Sequence, residues 1–134
     1  MACLDTTFLI DWLRGSERAK RKYDELKDHP DGGPKQLSIS VIGAYELQKG
    51  AKLSKNVPRD VKLVHDLVSE LAILEIDASV AFIASELYSD LSNKGKMIGE
   101  FDILIAATCI ASNQALVTND KDFDNIPNLV KVHY

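Results

Sequence analysis

Four acidic residues stand where apolar runs give way: Asp5 after "ACL", Glu46 in "AYELQKG", Asp102 in "EFDILIAAT" and Asp120 in "LVTND". Taken singly, an aspartate at such a boundary has an ordinary use. It accepts a backbone N–H as a helix cap, for about 0.5–2 kcal/mol, or it complements the helix dipole from the first turn. Asp5 and Asp120 admit the capping reading and Asp102 the dipole reading. Glu46 lies between Tyr45 and Leu47 and is harder to assign to packing. Taken together, four carboxylates brought close would repel and raise one another's pKa unless cations compensate. An all-oxygen cluster of that kind selects a hard divalent ion, Mg²⁺ or Mn²⁺, over metals that favour sulfur or imidazole. Glu75, Asp77, Glu100, Asp122 and Asp124 also fall near element ends and read as caps and surface.

Other chemistries find less support. His29, His65 and His133 have no ligand spacing for zinc. Cys3 and Cys109 sit in apolar runs with no partner at metal or redox spacing, so they read as small buried hydrophobes in a reducing cytoplasm. "GAYELQKG" lacks the glycine spacing of a pyrophosphate turn. A net charge of -4 argues against coating nucleic acid by bulk attraction. Local basic stretches remain: Arg14, Arg18, Lys20, Arg21 and Lys22 in one strip, and Lys49, Lys52 and Lys55 after Glu46. Each reads either as a solvated helix face or as a phosphate contact.

The elements that must position these acids follow from hydrophobic periodicity. With 134 residues, 46% of them hydrophobic, the chain suits one globular domain. No apolar run approaches the roughly 18 residues of a membrane span, and no signal peptide opens the chain, so a soluble cytoplasmic protein is expected. Short apolar strands at "ACLD", "QLSIS", "AILEI", "ALVT" and "LVKVH" alternate with helical patterns. Gly15 ends the first helix, Ser16 caps the second, and "HPDGGP" at 29–34 is a loop. Val80, Ile83, Ala84, Leu87 and Leu91 form a helical stripe, and "FDILIAATCIA" is apolar nearly all round, as in a helix packed on both sides. Strands separated by helices cannot pair as hairpins, so a mainly parallel sheet with helices on both faces is expected. Sites in such sheets form beyond the carboxyl ends of the strands, where Asp5 and Asp120 fall.

The blocks "CLDTTFLID", "YELQKGA", "FDILIAAT" and "LVTNDKDF", in this order and spacing, resemble the four acidic blocks of PIN-domain nucleases, especially the VapC toxin ribonucleases of VapBC toxin–antitoxin systems. The resemblance spans essentially the whole chain, residues 1–134, as a single PIN-like nuclease domain. It implies a three-layer α/β/α fold around a mainly parallel sheet of about five strands. It makes Asp5, Glu46, Asp102 and Asp120 the acidic quartet, with Thr6 and Thr118 as supporting hydroxyls. Thr7 departs from the family, which often has asparagine there. Either Asp120 or Asp122 can point inward from "TNDKDF", and Asp120 is preferred because it comes first after the strand. The implied activity is that of a metal-dependent endoribonuclease acting on RNA with one or two Mg²⁺ or Mn²⁺ ions. The implied partners are a small antitoxin and a second copy of the chain, with Tyr88, Leu87 and Leu91 as candidates for the dimer surface.

On this basis Asp5, Asp102 and Asp120 are the expected metal ligands, and Glu46 orients the attacking water or a second ion. Thr6 is expected to hold the Asp5 carboxylate. Cleavage would leave a 5′-phosphate and a 3′-hydroxyl. Two other functions compete: a PIN-like domain that binds RNA or protein without cutting, and a receiver-like phosphorylation switch built on Asp77.

Overall fold

The computed structural model describes residues 2–28 and 37–134. The proposed loop at 29–34, with His29, lies outside the described residues. Five parallel strands form one sheet: β1 (Ala2–Leu4), β2 (Ser38–Ser40), β3 (Ala72–Leu74), β4 (Ala115–Val117) and β5 (Lys131–Val132). Six α-helices are described with them: α1 (Thr6–Leu13), α2 (Glu17–Lys27), α3 (Val41–Lys52), α4 (Val57–Ser69), α5 (Ala78–Lys94) and α6 (Glu100–Ala111). A 3₁₀ turn, Lys121–Asn125, follows β4 where a turn of helix around "DFDNI" is expected.

The alternation of side chains along each strand builds two cores. Ala2, Leu4 and Val117 face a layer made by α1 to α4, with Phe8, Leu9, Ile39, Leu47 and Val64. Cys3 and Leu116 face the opposite layer of α5 and α6, with Val80, Leu91, Ile105 and Phe123. The three-layer arrangement follows directly, because a sheet with both faces apolar must be covered twice. Helix α6 is buried at Ile103 and at every residue from Ile105 to Cys109, in keeping with its all-round apolar sequence.

The strand order is β3-β2-β1-β4-β5. From β1 the chain moves outward through β2 to β3, then returns to place β4 on the other side of β1. The β1–β4 boundary is therefore the topological switch point, where the connections diverge and leave a crevice beyond the strand ends. β1 and β4 pair in register from Ala2↔Ala115 to Leu4↔Val117. The Asp5 N–H then donates to the Val117 carbonyl at 3.1 Å, so the first acid is fixed to the neighbouring strand.

β1 and β2 pass into α1 and α3 with almost no loop. Asp5 and Ser40 are both strand-terminal residues and N-caps, and Ser40 Oγ accepts from the Gly43 N–H at 2.9 Å. Gly43 packs closely: a Cβ there would lie 3.0 Å from the Ile39 side chain, which would have to give way by a few tenths of an ångström. Gly15 ends α1 at φ +85°, a conformation that excludes most L side chains. Ser16 caps α2 by accepting from the Ala19 N–H.

Candidate functional site

Asp5 is only 5% exposed, yet among the described residues its carboxylate faces neither lysine nor arginine. One oxygen, Oδ1, accepts the Thr6 N–H at 2.9 Å and Oδ2 accepts the Thr118 hydroxyl at 2.7 Å. Thr118 Oγ1 also accepts the Asp120 N–H at 3.0 Å, and Asp120 Oδ1 accepts the Asp122 N–H at 2.9 Å. On the other side the Thr6 hydroxyl donates to Glu46 Oε1 at 3.1 Å. A continuous hydrogen-bonded chain thus runs Glu46, Thr6, Asp5, Thr118, Asp120, Asp122, joining α3, α1, β1 and the β4 exit. Asp102 reaches the same place from the first turn of α6, where Gly99 is an N-cap with no side chain to satisfy the helix end.

The electrostatics match the geometry. Burial pushes the Asp5 carboxyl up to about 6, against the pull of its bonds from Thr118 and Thr6, and the charges of Asp120 and Glu46 add to the rise. Asp102 is also pushed up to about 6, first by burial and then by Asp5, Asp120, Glu46 and Asp122. Asp5 and Asp102 therefore each lie within electrostatic reach of Glu46 and Asp120. Among the described residues no salt bridge involves any of them.

Two expectations change. The Thr6 hydroxyl holds Glu46 and not Asp5, because helix α1 turns the Thr6 side chain towards α3 while its N–H stays on the cap. Thr6 does hold Asp5, but through its backbone N–H, and the hydroxyl on Asp5 comes from Thr118. Asp122, read from sequence as cap or surface, belongs to the cluster: one carboxylate oxygen each of Asp102, Asp120 and Asp122 lie within 4.8 Å of one another. The signal was the spacing of two in "NDKD". With Asp120 as N-cap, Asp122 falls in the first turn and shares its end of the 3₁₀ helix. Among the expected surface acids, Asp77 caps α5 by accepting from the Val80 N–H, and Asp124 bonds Lys131. Asp77 thereby follows the edge strand β3, away from the switch point, and the receiver-like reading loses its phosphoacceptor. Thr7 is exposed and takes no part.

A groove of about 630 Å³ opens beside Glu46. Ile10, Leu13, Leu47, Ala51, Leu63 and Val64 give it an apolar lining, and Arg14 and Arg59 supply positive charge. Lys49, Lys52 and Lys55 are exposed, with the Lys49 ammonium 5.2 Å from the Tyr45 ring centre. In the basic strip, Arg18 donates to the Tyr134 main-chain oxygen and Lys22 pairs with Glu25, whereas Arg14, Lys20 and Arg21 remain exposed. Leu87 and Leu91 are buried in the α5–α6 core and leave only Tyr88, 47% exposed, of the suggested dimer residues. His65 and His133 are exposed. No helix among the described residues is long and apolar enough to cross a membrane.

An acidic crevice at the switch point of a parallel three-layer sheet is a nuclease-like arrangement, and comparison with known proteins agrees. The family model of the PIN domain matches residues 2–129, and the chain belongs to that family. It is 40% identical to Ribonuclease VapC2 of Rickettsia felis over 95 residues, 70% of this chain and 71% of the relative. Identity to the tRNA(fMet)-specific endonuclease VapC of Salmonella typhimurium is 27%, covering 91% and 93% of the two chains. The crystal structure of VapBC2 from Rickettsia felis, bound to a promoter DNA fragment, contains a chain that superposes with a TM-score of 0.88. That match is 30% identical and covers 99% of this chain and 98% of the other.

Proposed function

We propose that the chain, as one nuclease domain over residues 1–134, is a metal-dependent endoribonuclease and the toxin of a toxin–antitoxin pair. The observation that carries this reading is the convergence of Asp5, Glu46, Asp102 and Asp120 from four elements onto one edge, with no salt bridge to any of them among the described residues. A fold does not gather unpaired carboxylates for stability, since each raises the cost of ionising the next. The kinship with VapC ribonucleases agrees with it.

The donor set fits a hard divalent cation. Asp102, Asp120 and Asp122 present oxygens at a mutual spacing one ion can bridge, and Asp5 stands beside them with its orientation locked by Thr118. We assign Asp5, Asp102 and Asp120 as ligands of Mg²⁺ or Mn²⁺, with Asp122 as a further oxygen. When bound, such an ion supplies neutralising charge for the phosphodiester and a water acidified towards neutral pH. Glu46 spends one oxygen on the Thr6 hydroxyl, which leaves the other to orient the attacking water and take its proton. Thr118 fixes two acids at once through Asp5 Oδ2 and the Asp120 N–H. Water attack opposite the 3′ oxygen leaves a 5′-phosphate and a 3′-hydroxyl.

The substrate class is RNA with an unpaired stretch, because an unstacked strand bends a phosphate into a recessed site. Lys49, Lys52 and Lys55 after Glu46, and Arg14 with its neighbours, flank the acids on two sides. The groove beside Glu46 suits an antitoxin segment with apolar side chains for its lining and an acidic one for Arg14 and Arg59. Phe82, Tyr88 and Phe101 are exposed on α5 and α6 and support a homodimer. We place the protein in the cytoplasm, where its proposed RNA substrate is made.

The deciding experiment is cleavage of end-labelled RNA by the purified protein in Mn²⁺, in Mg²⁺ and in chelator, with Asp102→Asn prepared identically. Cutting is expected from the wild type with metal and from neither protein in chelator. If the wild type binds RNA but never cuts it, after mass spectrometry has excluded a co-purified inhibitor, the domain is a binder and not a nuclease.

A further inference from the structure

One residue outside the acidic edge touches both of its halves. Tyr134 and Asn119 form a reciprocal pair: the Tyr134 N–H donates to Asn119 Oδ1 at 2.9 Å, and Asn119 Nδ2 donates to the Tyr134 main-chain oxygen at 2.7 Å. Asn119 lies between Thr118, which holds Asp5, and Asp120. The Tyr134 phenol donates to Asp11 Oδ2 at 2.6 Å, and its ring meets Phe8 edge to face with centroids 4.7 Å apart. Phe8 and Asp11 belong to α1, the helix that Asp5 caps. Arg18 of α2 adds a bond at 2.8 Å to the same Tyr134 oxygen. The last ladder bond, from the Thr118 N–H to the Val132 carbonyl at 3.0 Å, delivers the chain to this point. Tyr134 is thus a strut between the helix that starts at Asp5 and the segment that carries Asp120.

The arrangement has more bonds than closing an edge strand needs. An exposed asparagine that spends both its acceptor and a donor on the main chain of one residue is fixed in rotation. That restricts the backbone of residue 119, which sets where the Asp120 carboxylate goes. Groups behind a metal-binding carboxylate act this way, and their loss typically weakens ion binding about 10–100-fold.

We infer that Asn119 and Tyr134 are positioning residues that hold Asp120 in register with Asp5, so that the affinity of the acidic edge for a divalent cation depends on them. The inference rests on the reading above in taking that edge to bind a cation. It is tested without RNA, by calorimetric titration of Mn²⁺ into chelator-stripped wild type, Asn119→Ala and Tyr134→Phe, with thermal melts of each in chelator. Asn119→Ala should bind Mn²⁺ about tenfold more weakly, while its metal-free melting temperature moves by only a few degrees. Tyr134→Phe keeps the ring and the peptide pairing and loses only the bond to Asp11, so its loss of affinity should be smaller. Unchanged Mn²⁺ affinity in Asn119→Ala overturns the inference, whatever happens to the melt. If that variant fails to fold, Tyr134→Phe decides, and wild-type affinity there overturns it equally. Absence of Mn²⁺ binding by the wild type would instead sink the metal-site reading, and this inference with it.

Discussion

Helix α4 and the β1–β4 edge treat the same residue type in opposite ways. On α4, Asp60 meets the Arg59 guanidinium at 3.1 Å and Asp66 meets the Lys62 ammonium at 2.7 Å, and both carboxyls are held below the usual range, Asp60 first by the Ser54 side chain and then by Arg59, Asp66 first by Lys62. At the switch point, Asp5 and Asp102 are withdrawn from water among like charges and rise to about 6. A surface helix spends its acids on solubility and local pairing. The edge accepts a penalty for its acids and keeps them oriented with hydroxyls and N–H groups, which position without neutralising. That difference sets the edge apart from the paired acids of the surface.

Neutralising a buried acid of the edge gives the largest effect. Asp5→Asn should reduce metal-dependent RNA cleavage by about 10⁴-fold or more. In chelator the same variant should melt higher than the wild type by roughly 3–8 °C at pH 7.5. A lower melting temperature with cleavage retained would return Asp5 to the role of a simple helix cap.

Asp122→Asn probes how far the edge extends. If its carboxylate completes the cluster with Asp102 and Asp120, Mn²⁺ affinity should fall about tenfold, measured by calorimetry at constant pH. Wild-type affinity would confine the cluster to the four acids expected from sequence.

The pH dependence of metal-free stability separates the two regions by window. Asp5 and Asp102 have folded pKa values near 6, raised from 3.8. Below about pH 4 both states hold these protons and no penalty exists. The penalty grows as pH rises from 4 through 6 and is complete above, on the order of 3 kcal/mol for Asp5. The α4 acids, with lowered values, stabilise above about pH 4 and lose that contribution as pH falls further. Melts in chelator should therefore show a decline between pH 4 and 6 that Asp5→Asn flattens. A flat wild-type profile over that range would contradict the burial of uncompensated charge.

The smallest effect belongs to the surface. Lys62→Ala removes the i,i+4 partner of Asp66 and should shift the melting temperature by no more than about 1–2 °C. A drop of many degrees would mean that α4 depends on its pairs as the edge depends on its threonines.

Much of the fold was legible in the sequence because its signals are local. A short apolar strand before a capping residue, a glycine after a helix and an apolar period of three or four each report through neighbours on the chain. Asp5, Asp102 and Asp120 could be picked out because they stand at element ends, and Glu46 because it stands between Tyr45 and Leu47 inside a helix. Asp122 was set aside because, in sequence, it resembles Asp124; only the turn that follows Asp120 separates an acid facing the cluster from one bonded to Lys131. Thr6 was expected beside the acid it follows, but a helix carries that side chain sideways to Glu46.

The sequence by itself determined which segments become strands and helices, that the sheet is parallel, and that acids stand at the ends of its elements, since these depend on periodicity and on connection length. Tertiary structure alone decided the rest. It placed β4 against β1, making Asp5 and Asp120 neighbours; it assigned each threonine its carboxylate; and it tied Asn119 to Tyr134. Hydrogen-bond partners far apart in the chain are chosen by strand order and helix direction, and no local pattern encodes either.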